Sequence, residues 1–299
     1  MRIIGQIHST HLKNRIIGIK AYKRILYLHF QNSQMNQFKR YFYKGVYLDL
    51  DYEEQKTVVR AGISAYSVNF IQQIFSLSLY KKIHYYDHLE LSSSLSDFLN
   101  SLGNILFLDL EMTMPSYAFS GKEYHSEIIQ VGYVLVNGIG KEIHRYSEYI
   151  KPIINPVLSK RTIEFLNINP YEFKTKAIAY KSFYEDFKTV LTDYKPTIVI
   201  FGKNDRLMLN QSFEIHKVQS LNKYVRYVNL SKLIQNYYNL KNEPGLFKLY
   251  QAYYENEDIQ IHDAFNDSYV TKAVFDAFKS DVEHTTCYSE KIRTIFEPK

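Results

Sequence analysis

"NILFLDLEMTMP", residues 104–115, decides how the chain is read. Apolar residues 105–108 lead into Asp109, and Leu110 and Met112 flank Glu111. Period-two alternation puts Phe107, Asp109 and Glu111 on one face of a strand, with Leu106, Leu108 and Leu110 on the other. Two neighbouring carboxylates on a buried strand need compensation, because each anion loses hydration and the pair repel. A divalent cation provides it, and hard oxygen donors favour Mg²⁺ or Mn²⁺ over zinc. For an isolated Asp-x-Glu, the ordinary alternative is an exposed strand face.

Two distant stretches bear on that choice. "PTIVIFGKNDRLML", 196–209, reads as an apolar strand, then Gly202, then Asp205 at the start of a helix, where a helix cap is the ordinary reading. "IHDAFNDSYVTKAVFDAF", 261–278, puts His262 in a turn-like entry and Asp267 early on an amphipathic helix with Val270, Ala273, Val274 and Ala277 on its apolar side. With Asp263 as the N-cap, His262 and Asp267 are left to project toward the strand ends.

Composition narrows the remaining choices. A 299-residue chain with 45% hydrophobic and 23% charged residues has the balance of a folded protein. It contains no apolar run long enough to span a bilayer, and "MRIIGQIHST" lacks a signal-peptide core, so a cytoplasmic location without membrane association is expected. Its single cysteine, Cys287, excludes an internal disulfide and a thiolate zinc site. The net charge of +6 resides in the first third: residues 1–100 hold 13 Lys and Arg against 7 Asp and Glu, and the rest is balanced at 24 each. No acidic residue precedes Asp49. Such asymmetry suggests a polyanionic partner, since clustered cations release counterions from phosphates; a solvated face is the plainer alternative.

Short β-branched and aromatic runs through residue 71 predict a small barrel or half-barrel, OB-like among the possible forms. Tyr22, Tyr27, Phe30, Phe38, Tyr41, Phe42, Tyr43 and Tyr47 interleave with basic residues, which suits a base-stacking groove and a small core equally well. "LELSSSLSD", 89–97, reads as a linker, with a short helix capped by Ser96 after it. From Asn104, three strands, mixed helices and the strand in "PTIVIFG" predict an α/β domain with a mixed sheet.

In order and local context, Asp109, Glu111, Asp205, His262 and Asp267 resemble the five-residue signature of DEDDh 3′–5′ exonucleases, which have a ribonuclease-H-like fold. "FLDLEMTMP", "IFGKNDRLML" and the intervening "YIKPIINPVLSKRTIEFLNI" are similar to the subgroup containing KapD and the enhanced-RNA-interference exonucleases. The resemblance covers about residues 104–280, with Phe201 where that subgroup commonly has tryptophan. It implies removal of nucleoside 5′-monophosphates from 3′ ends with two Mg²⁺ or Mn²⁺ ions, RNA ahead of DNA. Asp109 would bridge both ions, Glu111 and Asp267 would help hold one, Asp205 would serve the other, and His262 would be the general base. Met112, Thr113 and Asn204 are the implied substrate contacts, with Lys203 near phosphate.

The expected organisation is a basic β-rich domain at 1–98 that binds nucleic acid, an exonuclease domain at 103–284, and a C-terminal tail at 285–299. A catalytically inactive nucleic-acid-binding relative would ordinarily have lost one of the five polar residues. An HD-type phosphohydrolase would need further histidines in helical context around His262-Asp263.

Overall fold

Strands form where β-branched and aromatic residues cluster: β1 (Arg2–His11), β2 (Ile16–Ala21), β3 (Arg24–His29), then helix α1 (Asn32–Phe38), β4 (Tyr47–Arg60), β5 (Ile63–Leu77) and β6 (Lys82–Asp87). This computed structural model describes all residues except 122, 223, 224, 239, 241, 256–261, 284–291, 293, 294 and 297–299. Most of the expected tail at 285–299 therefore lies outside the described residues. Sheet order is β3-β2-β1-β4-β5-β6, and a parallel pairing of Leu28 with Tyr66 and His29 with Ser67 joins β3 to β5. The first five strands thus close into a barrel, with a helix between the third and fourth, as in an OB-like fold.

The run "VVRAGISAYSVNFI" is two strands rather than one, because Ala61 and Gly62 both take positive φ and form a hairpin turn between β4 and β5. Tyr22 and Lys23 do the same between β2 and β3. The barrel core holds Ile7, Ile17, Leu28, Phe30, Phe38, Phe42 and Leu48.

The expected linker at 89–97 is helical: α2 runs from His88 to Asn100. Asp87 supplies the cap, its Oδ1 accepting the N–H groups of Leu89 at 3.0 Å and Glu90 at 3.4 Å. Ser96 lies inside the helix, and buried His88, Ser92 and Leu99 follow its inward stripe. Serine favours turns only when its hydroxyl competes for the backbone, and here packing outweighs that preference.

Beyond α2 come β7 (Ile105–Met112), β8 (Ile128–Val136), β9 (Glu142–Tyr149), α3 (Lys160–Leu166), α4 (Pro170–Lys176) and α5 (Tyr180–Tyr194). They are followed by β10 (Thr197–Ile200), α6 (Asn204–Ile215), β11 (Arg226–Asn229), α7 (Leu230–Tyr238), α8 (Leu246–Tyr254) and α9 (Ala264–Val282). The sheet order is β11-β10-β7-β8-β9, with β10 parallel to β7 and β11, and β7, β8 and β9 antiparallel. On one face Leu106, Leu108 and Leu110 pack with Phe183, Phe187 and Leu191 of α5. On the other, Phe107 meets Phe275 of α9, their ring centroids 5.3 Å apart. Apolar burial on both faces makes this a three-layer α/β unit.

The chain divides into two compact units, one built on Met1–Ser96 and the other on Asp97–Tyr238 with Asn242–Lys299. Among the described residues, no helix is long and apolar enough to cross a membrane.

Candidate active site

Strand β7 carries Asp109 and Glu111 into a region bounded by the starts of α6 and α9. After β10, Gly202 turns the chain with φ +100°, and its N–H donates to the Asn229 side chain at 3.3 Å. Asp205 then falls in the first turn of α6 without capping it, since Lys203 holds the cap position. The Asp205 carboxylate is buried and accepts the Leu110 N–H at 3.3 Å, which ties α6 to the strand between the two β7 carboxylates.

The start of α9 is fixed from β8. Asp263 is the N-cap and accepts the Asn266 N–H at 2.9 Å. Gln130, the register partner of Glu111, donates to Asp263 Oδ2 at 2.6 Å and accepts the Ala264 N–H at 3.4 Å. Gly132, the register partner of Asp109, lets the helix lie directly on the strand: a Cβ there would overlap the backbone of Ala264 and Phe265. Asp267 thereby comes to lie buried beside Glu111. His262, in a left-handed conformation with φ +48°, places its ring 4.2 Å from that of Phe165 on α3. Glu111, His262 and Asp267 each offer one oxygen or nitrogen atom within 4.8 Å of the others.

Electrostatics joins Asp109 and Asp205 to this group. Enclosure by protein, then repulsion from Asp205, Glu111, Asp267 and Asp263, holds the Asp109 carboxyl well above the ordinary range. Burial and the charges of Asp267, Asp205 and Asp263 push Glu111 up to about 8. Burial raises Asp205 to about 7, opposed by the Leu110 N–H and reinforced by Asp267. Among the described residues, the charges that raise Asp109 and Glu111 are all carboxylates. Oxygen donors that repel one another at this separation fit a hard divalent cation, whose binding would favour their ionised forms.

A pH dependence follows. Carboxyls with raised values keep protons in the folded chain that the unfolded chain has released, so stability falls as pH rises from about 4 to about 8. Melting curves in EDTA should drop by several degrees between pH 5 and pH 8. Adding Mg²⁺ should recover more at pH 8 than at pH 5. A melting temperature indifferent to Mg²⁺ at both values would count against a cation site.

The implied substrate contacts fall into two groups. Met112 is half-buried, while Lys203 and Asn204 are exposed on the approach to Asp205. Thr113 is buried and exchanges two bonds with Glu127: its N–H donates to the Glu127 carbonyl, and its hydroxyl accepts the Glu127 N–H, each at 2.9 Å. The Glu127 carboxylate accepts the backbone N–H groups of Ile153, Ile154 and Asn155. Met114 is held by the hydroxyls of Ser159 and Thr162. The segment after β7 is therefore pinned to the "INPVLSKRT" stretch, which leaves the half-buried Met112 side chain for a ligand.

Sequence reasoning missed Gln130, Gly132 and Phe165. A glycine inside the apolar run "IIQVGYVLV" signals a close backbone approach, so Gly132 was findable. Phe165 carried no such mark.

A family model for exonucleases of the RNase T type matches residues 106–275, more than half the chain. The probable 3′-5′ exonuclease KapD of Bacillus subtilis (strain 168) is 26% identical over 186 residues, which cover 60% of this chain and 87% of the relative. A full-length 3′-exonuclease superposes with a TM-score of 0.51 at 17% identity, covering 62% of this chain and 83% of that one. A 3′-exonuclease described in 3′-end specific recognition of a histone mRNA stem-loop gives 0.50 at 17% identity, covering 62% of this chain and 65% of that one. The chain spans just under two thirds of the latter's length, and both likenesses bear on the fold. With its mixed sheet and matching 106–275 region, the chain belongs to the exonuclease (RNase T) family.

Proposed function

We propose that the chain is a metal-dependent 3′–5′ exonuclease that releases nucleoside 5′-monophosphates from single-stranded 3′ ends, RNA in preference to DNA. The observation that carries this reading is the grouping of Glu111, His262 and Asp267 within 4.8 Å, with buried Asp205 tied to the Leu110 N–H between Asp109 and Glu111. The RNA preference draws on the histone mRNA stem-loop named for one structural relative.

In this reading Asp109, Glu111, Asp205 and Asp267 hold two Mg²⁺ or Mn²⁺ ions. Such ions, when bound, offset the charge that develops on the attacking and leaving oxygens of an in-line displacement. His262 takes a proton from the attacking water, the general-base role that a neutral imidazole can fill. Water oxygen bonds to phosphorus, the bond to the 3′-oxygen breaks, and that oxygen takes up a proton as the new 3′ end. Met112 packs on the terminal base, the backbone around Thr113 addresses the ribose, and Lys203 and Asn204 approach phosphate.

Oligomers of RNA and DNA labelled at the 5′ end test the reading when incubated with and without Mg²⁺ or Mn²⁺. A ladder retreating from the 3′ end only with metal is expected, faster on RNA. Failure to shorten either oligomer, or equal behaviour of wild type and Asp109→Asn, would leave a nucleic-acid-binding relative without catalysis.

A further inference from the structure

The segment between α1 and β4, "FKRYFYKGVY" at 38–47, sorts its residues in a regular way. Phe38, Phe42 and Val46 point into the barrel core. Lys39, Arg40, Tyr43 and Lys44 are exposed, and Tyr41 and Tyr47 are half-buried. This divides the aromatics that the sequence left undecided. Phe30, Phe38 and Phe42 are core residues, whereas several tyrosines face outward.

The rings left partly or wholly exposed are organised, Tyr41 and Tyr85 each resting one side against the barrel core. Register between β5 and β6 pairs Ile74 with Tyr86 and Phe75 with His84, so Tyr85 is the extra residue of a β-bulge. Bulges re-aim side chains, and here Tyr85 stacks on Tyr41 with centroids 5.4 Å apart and planes 14° from parallel. The Tyr43 hydroxyl donates to Tyr85 Oη at 2.7 Å, holding its ring against the pair. The Arg40 guanidinium lies 4.7 Å from the Tyr41 ring centre.

Among the described residues, Lys39, Arg40 and Lys44 form no ion pair. The nearest acid in sequence, Asp49, is taken up by Arg2 through two bonds of 2.7–2.8 Å. Stacked, partly exposed rings beside unpaired cations complement a strand that presents flat bases on one side and phosphates on the other.

We infer that the Lys39–Tyr47 segment, with Tyr85, is a docking platform for single-stranded nucleic acid on the barrel. The tyrosine rings receive bases, and Arg40 and Lys44 neutralise phosphates. This deepens the nuclease reading and rests on it for the ligand class, but the platform's own residues lie wholly within the first unit.

The test measures binding without catalysis: fluorescence anisotropy of labelled 20-nucleotide oligouridine and oligothymidine with the full chain in EDTA, over a range of salt. Combined Tyr41→Ala and Tyr43→Ala should weaken binding by roughly 10- to 100-fold, while Tyr43→Phe, which keeps the ring, should stay within about twofold of wild type. Combined Arg40→Ala and Lys44→Ala should reduce the slope of log affinity against log salt by about 1.4, the value for two phosphate contacts on a single strand. These exposed charges can be removed without disturbing the core, so this arm stands even if the tyrosine variant melts early. A wild-type chain that binds neither oligomer, or charge variants with an unchanged slope, would overturn the inference. Because EDTA is present throughout, binding without later metal-dependent trimming would sink the nuclease reading and leave the platform standing.

Discussion

An Asp109→Asn chain should lose 3′-end trimming by at least about a thousandfold, and should melt higher than wild type in EDTA at pH 8. The two effects share a cause. Asp109 lies among Asp205, Glu111, Asp267 and Asp263, and without a cation its negative charge is opposed by burial and by all of them. An isosteric amide removes that charge and relieves its neighbours, so a gain of a few degrees, on the order of 1 kcal/mol, is expected. With Mg²⁺ added, the order should reverse, because wild type gains a bound cation and the variant loses a ligand. Paired thermal melts and a labelled-oligomer gel measure both. A variant that melts lower than wild type in EDTA would show that Asp109 contributes to the fold through contacts that outweigh its repulsion.

Gly132→Ala should also be damaging, although no polar group is altered. The added methyl would meet the backbone at Ala264 and Phe265, which cannot yield like the end of a flexible side chain. The first turn of α9 must therefore move off β8, taking His262 and Asp267 away from Glu111. A displacement of about 1 Å at a reacting site costs around a hundredfold in rate, and strain of this kind costs about 1–3 kcal/mol in stability. Gly138→Ala is the matched control. Its Cβ would find its nearest atom at 3.8 Å, so rate and melting temperature should stay near wild type. Equal rates for the two variants would mean that α9 is not seated through Gly132.

What could be read in advance depended on how locally each feature is encoded. Period two in residues 105–110 gave the faces of β7, and Leu106, Leu108 and Leu110 do enter the core. Placing Asp205, His262 and Asp267 near that strand needs the family pattern, because residues so far apart along the chain carry no local signal of their proximity. The serine run of α2 reads as a linker because its composition outweighs the inward stripe of His88, Ser92 and Leu99. Edge strands β6 and β11 passed unnoticed, being short and without clean alternation. Tyrosine and phenylalanine in the first 50 residues could not be sorted, because an aromatic ring suits a core and a surface stack alike. Only the course of residues 38–47 around the barrel end separated them.

The closeness of α9 to Gly132 also bears on how this lineage can decay. Any amino-acid change at a glycine codon installs a side chain. One nucleotide error at that position should therefore be enough to unseat α9 while Asp109, Glu111, Asp205, His262 and Asp267 remain intact. A survey that judged descendants by those five letters would count such an allele as unaltered.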